Sequence, residues 1–297
     1  MPPHNGAPAL APAPLFESPT RTPSEDRGWP GMYTFTFAES AENHVGMQQL
    51  GQRAPEGGGL QLADLQRAQE LALERGEPSE MFRLDELADA GRVPSSARLP
   101  PAAVLVLRGA AHRLAPPADW RAELQTLRPL FDRQARMRGR VVNKHARWNL
   151  CLADQAQEPD YAAGRGRVVR FADFPLLARL RDWLPSIFER PDVPEINLHG
   201  LYGEANLYYR ADCGIGFHGD TERRIVIGAR LADGSLALDM PLHFQWYRDG
   251  APVLARMRVP LQPGDVYVMS EKAAGGDWKR RSVPTLRHAT GAAKYTA

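Results

Sequence analysis

Residues 242–248 read Leu-His-Phe-Gln-Trp-Tyr-Arg, and this alternation decides the fold class. Leu242, Phe244 and Trp246 fall on one face of an extended chain, and His243, Gln245 and Tyr247 fall on the other. That is the period-two pattern of a half-buried β-strand. Working outward, segments of the same texture follow one another after Leu198: Leu201 to Tyr209, Arg224 to Leu231, Leu254 to Pro260, Val266 to Ser270 and Thr285 to His288. Asp233-Gly234, Asp249-Gly250 and Pro263-Gly264-Asp265 supply the turn chemistry between them.

Upstream the texture differs. Met32 to Phe37 alternates like a strand, and Ala102 to Leu107 is a short apolar run that suits a buried one. Leu60, Leu62, Leu65, Ala68, Leu71 and Ala72 approximate a helical stripe that Arg75-Gly76 ends. Further helices are predicted over Trp120 to Met137, kinked at Pro129, and over Phe174 to Leu184, stopped by Pro185. The first thirty residues carry eight prolines and read as a disordered tail. The chain therefore reads as an α+β protein. Residues 1–30 form the tail, 31–197 an N-terminal α/β region integrated with the core, and 198–297 a β-sandwich or barrel.

The 297 residues are enough for one large domain with a substantial core. No apolar stretch approaches the roughly 18 residues a membrane span needs, and no basic cap precedes an apolar block at the N-terminus. A soluble, intracellular protein, cytoplasmic or nuclear, is expected, with no membrane partner. Cys151 and Cys213 are too few for a disulfide framework. Thirty-seven basic against 35 acidic side chains leave a net charge of +2, so attraction to nucleic acid has to come from local clustering.

The chemistry concentrates in Cys213-Gly-Ile-Gly-Phe-His218-Gly-Asp220. At a strand end, residues two apart project to one face, so His218 and Asp220 can bind one ion together. A second histidine from a later strand completes a two-His, one-carboxylate face, and His288 is the best candidate. Such a face leaves three positions of a six-coordinate iron(II) open.

With these residues in place, the segment from Asn206 to Lys294 resembles the AlkB-like branch of the iron(II)- and 2-oxoglutarate-dependent dioxygenases. The likeness rests on Asn206-x-Tyr208, twelve residues before His218; on His218-x-Asp220-x-Glu222; on the apolar run Arg224 to Leu231; on Pro263-Gly264-Asp265 leading a strand; and on His288. Residues 31–48, 138–161 and 269–296 also look like a subgroup of such oxygenases found in large DNA viruses and algae. The resemblance implies a double-stranded β-helix, or jelly roll, buttressed by the N-terminal helices and strands. It also implies iron(II) on His218, Asp220 and His288, with 2-oxoglutarate and O2 as cosubstrates, and Asn206 and Tyr208 as 2-oxoglutarate ligands. The reaction it implies is hydroxylation or oxidative demethylation. One departure stands out: the family's arginines on a strand well after the distal histidine are missing, because the chain ends nine residues beyond His288. A buried dicarboxylate still needs a cation. Lys294 is the first choice, with Arg230 and Arg287 as reserves.

Between Arg133 and Arg147 lie six cations and no acid, followed directly by Trp148. A phosphate backbone and an unstacked base favour such a pairing, which points to DNA or RNA as partner, with Arg147 and Trp148 in contact and a modified nucleobase as substrate. Lys279-Arg280-Arg281 after Trp278 forms a second basic cluster, and Glu222 and Arg223 are placed to touch an entering substrate. A solvated helix face with Trp148 in the core is the competing reading of the basic stripe. For the whole protein the rivals are a protein or small-metabolite hydroxylase on the same core and a non-catalytic nucleic-acid-binding β-domain. His145, His199 and His243 read as structural, and His44 in Ala-Glu-Asn-His-Val-Gly-Met has no role legible in sequence.

Overall fold

The computed structural model describes residues 30–87, 99–189, 197–234 and 239–297. The expected N-terminal tail lies outside them, save Pro30. Among the described residues sixteen strands follow in chain order. The first eight are β1 (Met32–Ala38), β2 (Ser40–Glu42), β3 (Gln49–Gly51), β4 (Ser79–Arg83), β5 (Ala103–Leu107), β6 (Gln134–Met137), β7 (Arg140–Asn143) and β8 (Trp148–Ala153). The rest are β9 (Val168–Arg170), β10 (Tyr202–Tyr208), β11 (Gly214–His218), β12 (Val226–Ala232), β13 (Leu242–Arg248), β14 (Ala251–Val259), β15 (Val266–Met269) and β16 (Thr285–Gly291).

Eight of these strands form one mostly antiparallel sheet, in the order β4-β5-β15-β12-β1-β10-β8-β9, with only β8 and β9 parallel. A second sheet runs β11-β16-β13-β14, and β2-β3 and β6-β7 are separate hairpins. The large sheet interleaves strands from the N-terminal region with strands from beyond residue 198, and β1 sits at its middle between β10 and β12. Neither stretch could complete the sheet alone.

Three layers result. Helices Leu62–Glu74, Ala110–Leu114, Pro117–Leu127 and Pro175–Trp183 cover one face of the large sheet, where Leu65, Ala68, Trp120, Leu124, Leu177 and Leu180 pack with Phe35, Phe37, Ala205, Leu207, Ile227 and Ala229. The small sheet covers part of the other face, and Phe244, Trp246, Leu286 and Val259 pack with Val104, Val106, Val226 and Met269. The molecule is therefore α+β with a helix layer, a large sheet and a smaller sheet.

Local chemistry explains most boundaries. Helix Leu62–Glu74 starts where the Gln61 N–H donates to the Asp64 carboxylate at 2.7 Å, and it stops at Gly76, whose φ of +68° is the left-handed conformation that ends helices. The Trp120 to Met137 helix is a correction. It spans only Pro117–Leu127, passes through a 3-10 turn at Arg128–Leu130, and is followed by the β6-β7 hairpin. Pro129 ends the helix instead of kinking it, and Arg138 and Gly139, with φ of +50° and +79°, make the tight turn that right-twisted antiparallel strands favour. The basic stripe thus sits on an arm of two strands. No helix among the described residues is long and apolar enough to cross a membrane.

Candidate metal centre

Antiparallel pairing of β11 with β16 sets His218 directly opposite His288, seventy positions away in sequence. Asp220 follows two residues later, where its N–H donates to the Ala274 carbonyl at 2.9 Å and turns the chain back toward the imidazoles. The residue between them has to be glycine: a Cβ on Gly219 would lie 2.1 Å from the Gly275 carbonyl oxygen. Both imidazoles present Nε2 to Asp220 Oδ1, at 3.7 Å from His218 and 3.8 Å from His288, and all three ligand atoms lie within 4.8 Å of one another. Two ligands held ~2.0–2.2 Å from one ion sit at most ~4.4 Å apart, so the 3.7 and 3.8 Å separations suit a shared metal ion.

The electrostatics agree. Nδ1 of His218 donates to the Gly216 carbonyl at 2.8 Å, which leaves the Nε2 lone pair for a metal. Burial pushes the pKa of His218 down to about 4 and that of His288 well below the usual range, so both rings are neutral at pH 7. Burial also pushes the Asp220 carboxyl up to about 7. A divalent cation would reverse that penalty by supplying the missing positive charge. His218, Asp220 and His288 can therefore hold a metal ion.

The three residues open into a cavity of about 180 Å³ whose floor is the large sheet. Two polar rows cross that sheet at registered positions. One runs Asn149, Asn206, Thr34, Arg230, and the next runs Glu204, Thr36, Gly228, Tyr267. Cross-strand neighbours share a face, and Thr34, Thr36, Glu204, Asn206 and Tyr267 line the cavity, so Arg230 projects on the cavity side as well. Gly228 is the gap in this pattern that admits the Tyr267 ring: a Cβ there would meet the ring at 2.0 Å.

The residues singled out in sequence divide accordingly. Tyr208 is buried in the cavity wall. Asn206 accepts hydrogen bonds from Arg147 Nε at 2.5 Å and Asn149 Nδ2 at 2.6 Å, and donates to Glu204 at 3.1 Å. Arg147, Glu222 and Lys279 also line the cavity. Arg223 reaches its wall but is buried and committed to Glu204 and Glu222, so it braces the site and is not free for substrate.

Three expectations are corrected. Lys294 lies in the last turn of the chain, 55% exposed, paired with Asp212 at 3.3 Å and off the cavity wall. Arg287 neighbours His288 on β16 and so projects to the opposite face, where its guanidinium lies 3.8 Å from the centre of the Tyr247 ring. Trp148 is buried, stacked on Tyr209 at 4.0 Å and capped by Arg133 at 4.3 Å, so no base can stack on it. Arg230 remains: it is fully buried, and none of its three guanidinium nitrogens has a hydrogen-bond partner among the described residues.

Sequence reasoning missed Thr34, Tyr267 and the lip formed by Glu42, His44 and Val45. The alternation of β1 and β15 carried the first two, since both fall on the face opposite the helix-packed residues. The lip had a signal only in the unexplained polar phrase around His44.

Compared with known proteins, no family model matches the chain. The chain is 41% identical over 263 residues to an uncharacterized protein of Acanthamoeba polyphaga mimivirus, an alignment covering 88% of this chain and 96% of the viral protein.

Proposed function

The chain belongs to one family with that mimivirus protein, and we propose that it is an iron(II)- and 2-oxoglutarate-dependent dioxygenase of the AlkB-like kind, built on a double-stranded β-helix. The observation that carries this reading is a pairing on one side of the large sheet, the triad lining the cavity and Arg230 set beside the cavity-lining Thr34 by register. Two neutral imidazoles and a carboxylate converge at one point, and an uncompensated guanidinium, Arg230, projects from the sheet that forms the floor. A lone buried guanidinium costs several kcal/mol unless an anion joins it, and a fold keeps such a group where a ligand completes it. A keto acid with a second carboxylate matches both ends.

His218 Nε2, His288 Nε2 and the Asp220 carboxylate would hold iron(II). Iron(II) held there, with O2 and 2-oxoglutarate, would supply oxidation of a substrate C–H bond, with the keto acid converted to succinate and carbon dioxide and a hydroxylated N-methyl group lost as formaldehyde. Arg230 would take the far carboxylate by charge-assisted hydrogen bonds. Tyr208 and Tyr267 lie close enough to Arg230 to feel its charge, and they wall this end of the cavity. Asn206, held by Arg147 and Asn149, fixes the edge of the same surface. Burial of Asp220 and His288 limits the access of bulk water to the reacting centre, which His218, 27% exposed, borders.

Support for a nucleic-acid substrate comes from the β6-β7 arm. Arg136, Arg138 and Arg140 have no carboxylate partner among the described residues, and Met137 and Val141 beside them are 45% and 43% exposed. Unneutralised arginines next to exposed apolar side chains suit a phosphate backbone and its bases. A modified nucleobase in DNA or RNA is the substrate class preferred.

Anaerobic titration of the apo-protein with iron(II) and then 2-oxoglutarate tests the chemistry. A visible charge-transfer band is expected in wild type, and its absence from folded protein would sink the assignment. Arg230→Met should keep iron affinity and lose the band. Formaldehyde release from methylated oligonucleotides, abolished by His218→Ala, tests the substrate class.

A further inference from the structure

Glu42 ends β2 and lines the cavity at its mouth with His44 and Val45. The segment is anchored at its base. Asn43 accepts from Lys144 Nζ at 2.7 Å and donates to Asp132 at 2.8 Å, and a Cβ on Gly166 would fall 2.5 Å from Asn43 Cγ. Val45 beyond it is 84% exposed. A lip fixed at its base and bare at its tip is preorganised for contact from outside.

Charge distribution around the cavity singles out one group. Glu204 and Glu222 share Arg223, and Asp220 faces the two imidazoles. Glu42 has no cationic partner among the described residues and accepts one hydrogen bond, from the Gly46 N–H at 2.7 Å. Burial, reinforced by the negative field of Glu222 and Glu204, pushes its pKa up to about 7. The same cavity holds a further buried polar group: the hydroxyl of Thr34, a residue 6% exposed, faces the Tyr208 hydroxyl.

We propose that Glu42 is the specificity-determining residue of this cavity, accepting an N–H donor or cationic nitrogen carried by the part of the substrate that enters. The proposal rests on the reading of the cavity as the substrate site. A donor-free group at the same place would leave the Glu42 carboxylate desolvated and unmatched, and sites built to hydrogen-bond a ligand reject analogues lacking the group. A positive group gains in addition from the field of Glu222 and Glu204.

The test uses full-length protein loaded with Mn(II) under anaerobic conditions and three small probes of similar size: methylguanidinium, N-methylurea and methyl acetate. Paramagnetic broadening of each probe's methyl resonance reports binding next to the ligand triad. Wild type should bind them in that order, with at least tenfold between the first and the last. Glu42→Gln should narrow the range to less than threefold at unchanged Mn(II) affinity, and Glu42→Asp should keep part of the preference. Equal binding of the three probes by wild type, or an unchanged order in Glu42→Gln, would overturn the proposal. Failure of wild type to bind Mn(II) would count against the dioxygenase reading instead, and calorimetry on the metal-free protein would still read the probe order.

Discussion

The two faces of the large sheet are made by the same strands yet follow opposite rules. On the helix side, Phe35, Phe37, Ala205, Leu207, Ile227 and Ala229 are apolar and buried. On the cavity side, one residue along each strand, stand Thr34, Thr36, Glu204, Asn206, Arg230 and Tyr267. Both faces are shielded from water, so exposure does not explain the difference. The helix side is built for its own packing. The cavity side keeps polar groups that the folded chain leaves only partly matched, a cost tolerated where a ligand completes them.

The comparison breaks if the two faces respond alike to truncation. The largest effect is expected on the packed side: Phe37→Ala should destabilise the protein by about 3–5 kcal/mol in urea denaturation, through lost burial and a residual cavity. On the other side, Arg230→Met should leave the apo-protein unharmed or stabilise it by about 1–4 kcal/mol, because it removes a buried charge with no hydrogen-bond partner among the described residues. Loss of stability comparable to that of Phe37→Ala would show that Arg230 is structural. Gly228→Ala sharpens the contrast at a single position. It should cost about 1–3 kcal/mol by displacing the Tyr267 ring, whereas Gly216→Ala, whose Cβ would meet only the Tyr295 carbonyl oxygen at an ordinary contact of 3.9 Å, should be close to neutral in thermal unfolding.

A further test is one of pH. Burial pushes the Asp220 carboxyl up to about 7 and His218 down to about 4, so between these values one proton competes with a metal ion for the site. Mn(II) affinity should be level above about pH 7 and fall about tenfold per unit below it, and Asp220→Asn should abolish that slope along with most of the affinity. A slope of two protons over the same range would mean that a histidine titrates with the carboxylate.

Legibility followed the range of the physics. Strand β13 was read to the residue, because period-two burial is a local property of the backbone. His218 and Asp220 were paired correctly by their spacing at a strand end, and His288 by its position after a turn-led strand. The helix over Trp120 to Met137 was overextended because Trp120, Leu124 and Leu127 set a period that Phe131 continues by coincidence, while Pro129 had already ended the helix. Lys294 was chosen for its closeness to His288 along the chain. In a sheet, however, proximity runs across strands: Arg230 stands beside Thr34 and Asn206 by register, while Lys294 follows the chain out to Asp212.

By itself, then, the sequence determined what alternation and turn chemistry determine: the class of the fold, about half of its described strands, and two histidines and an aspartate whose spacing suits a metal ion. Tertiary structure alone decided which cation lies under the cavity, which aromatic ring reaches it and which carboxylate stands at its lip. Those choices depend on the registers that bring β1, β10, β12 and β15 side by side, and register is set by many weak contacts between residues far apart in the chain.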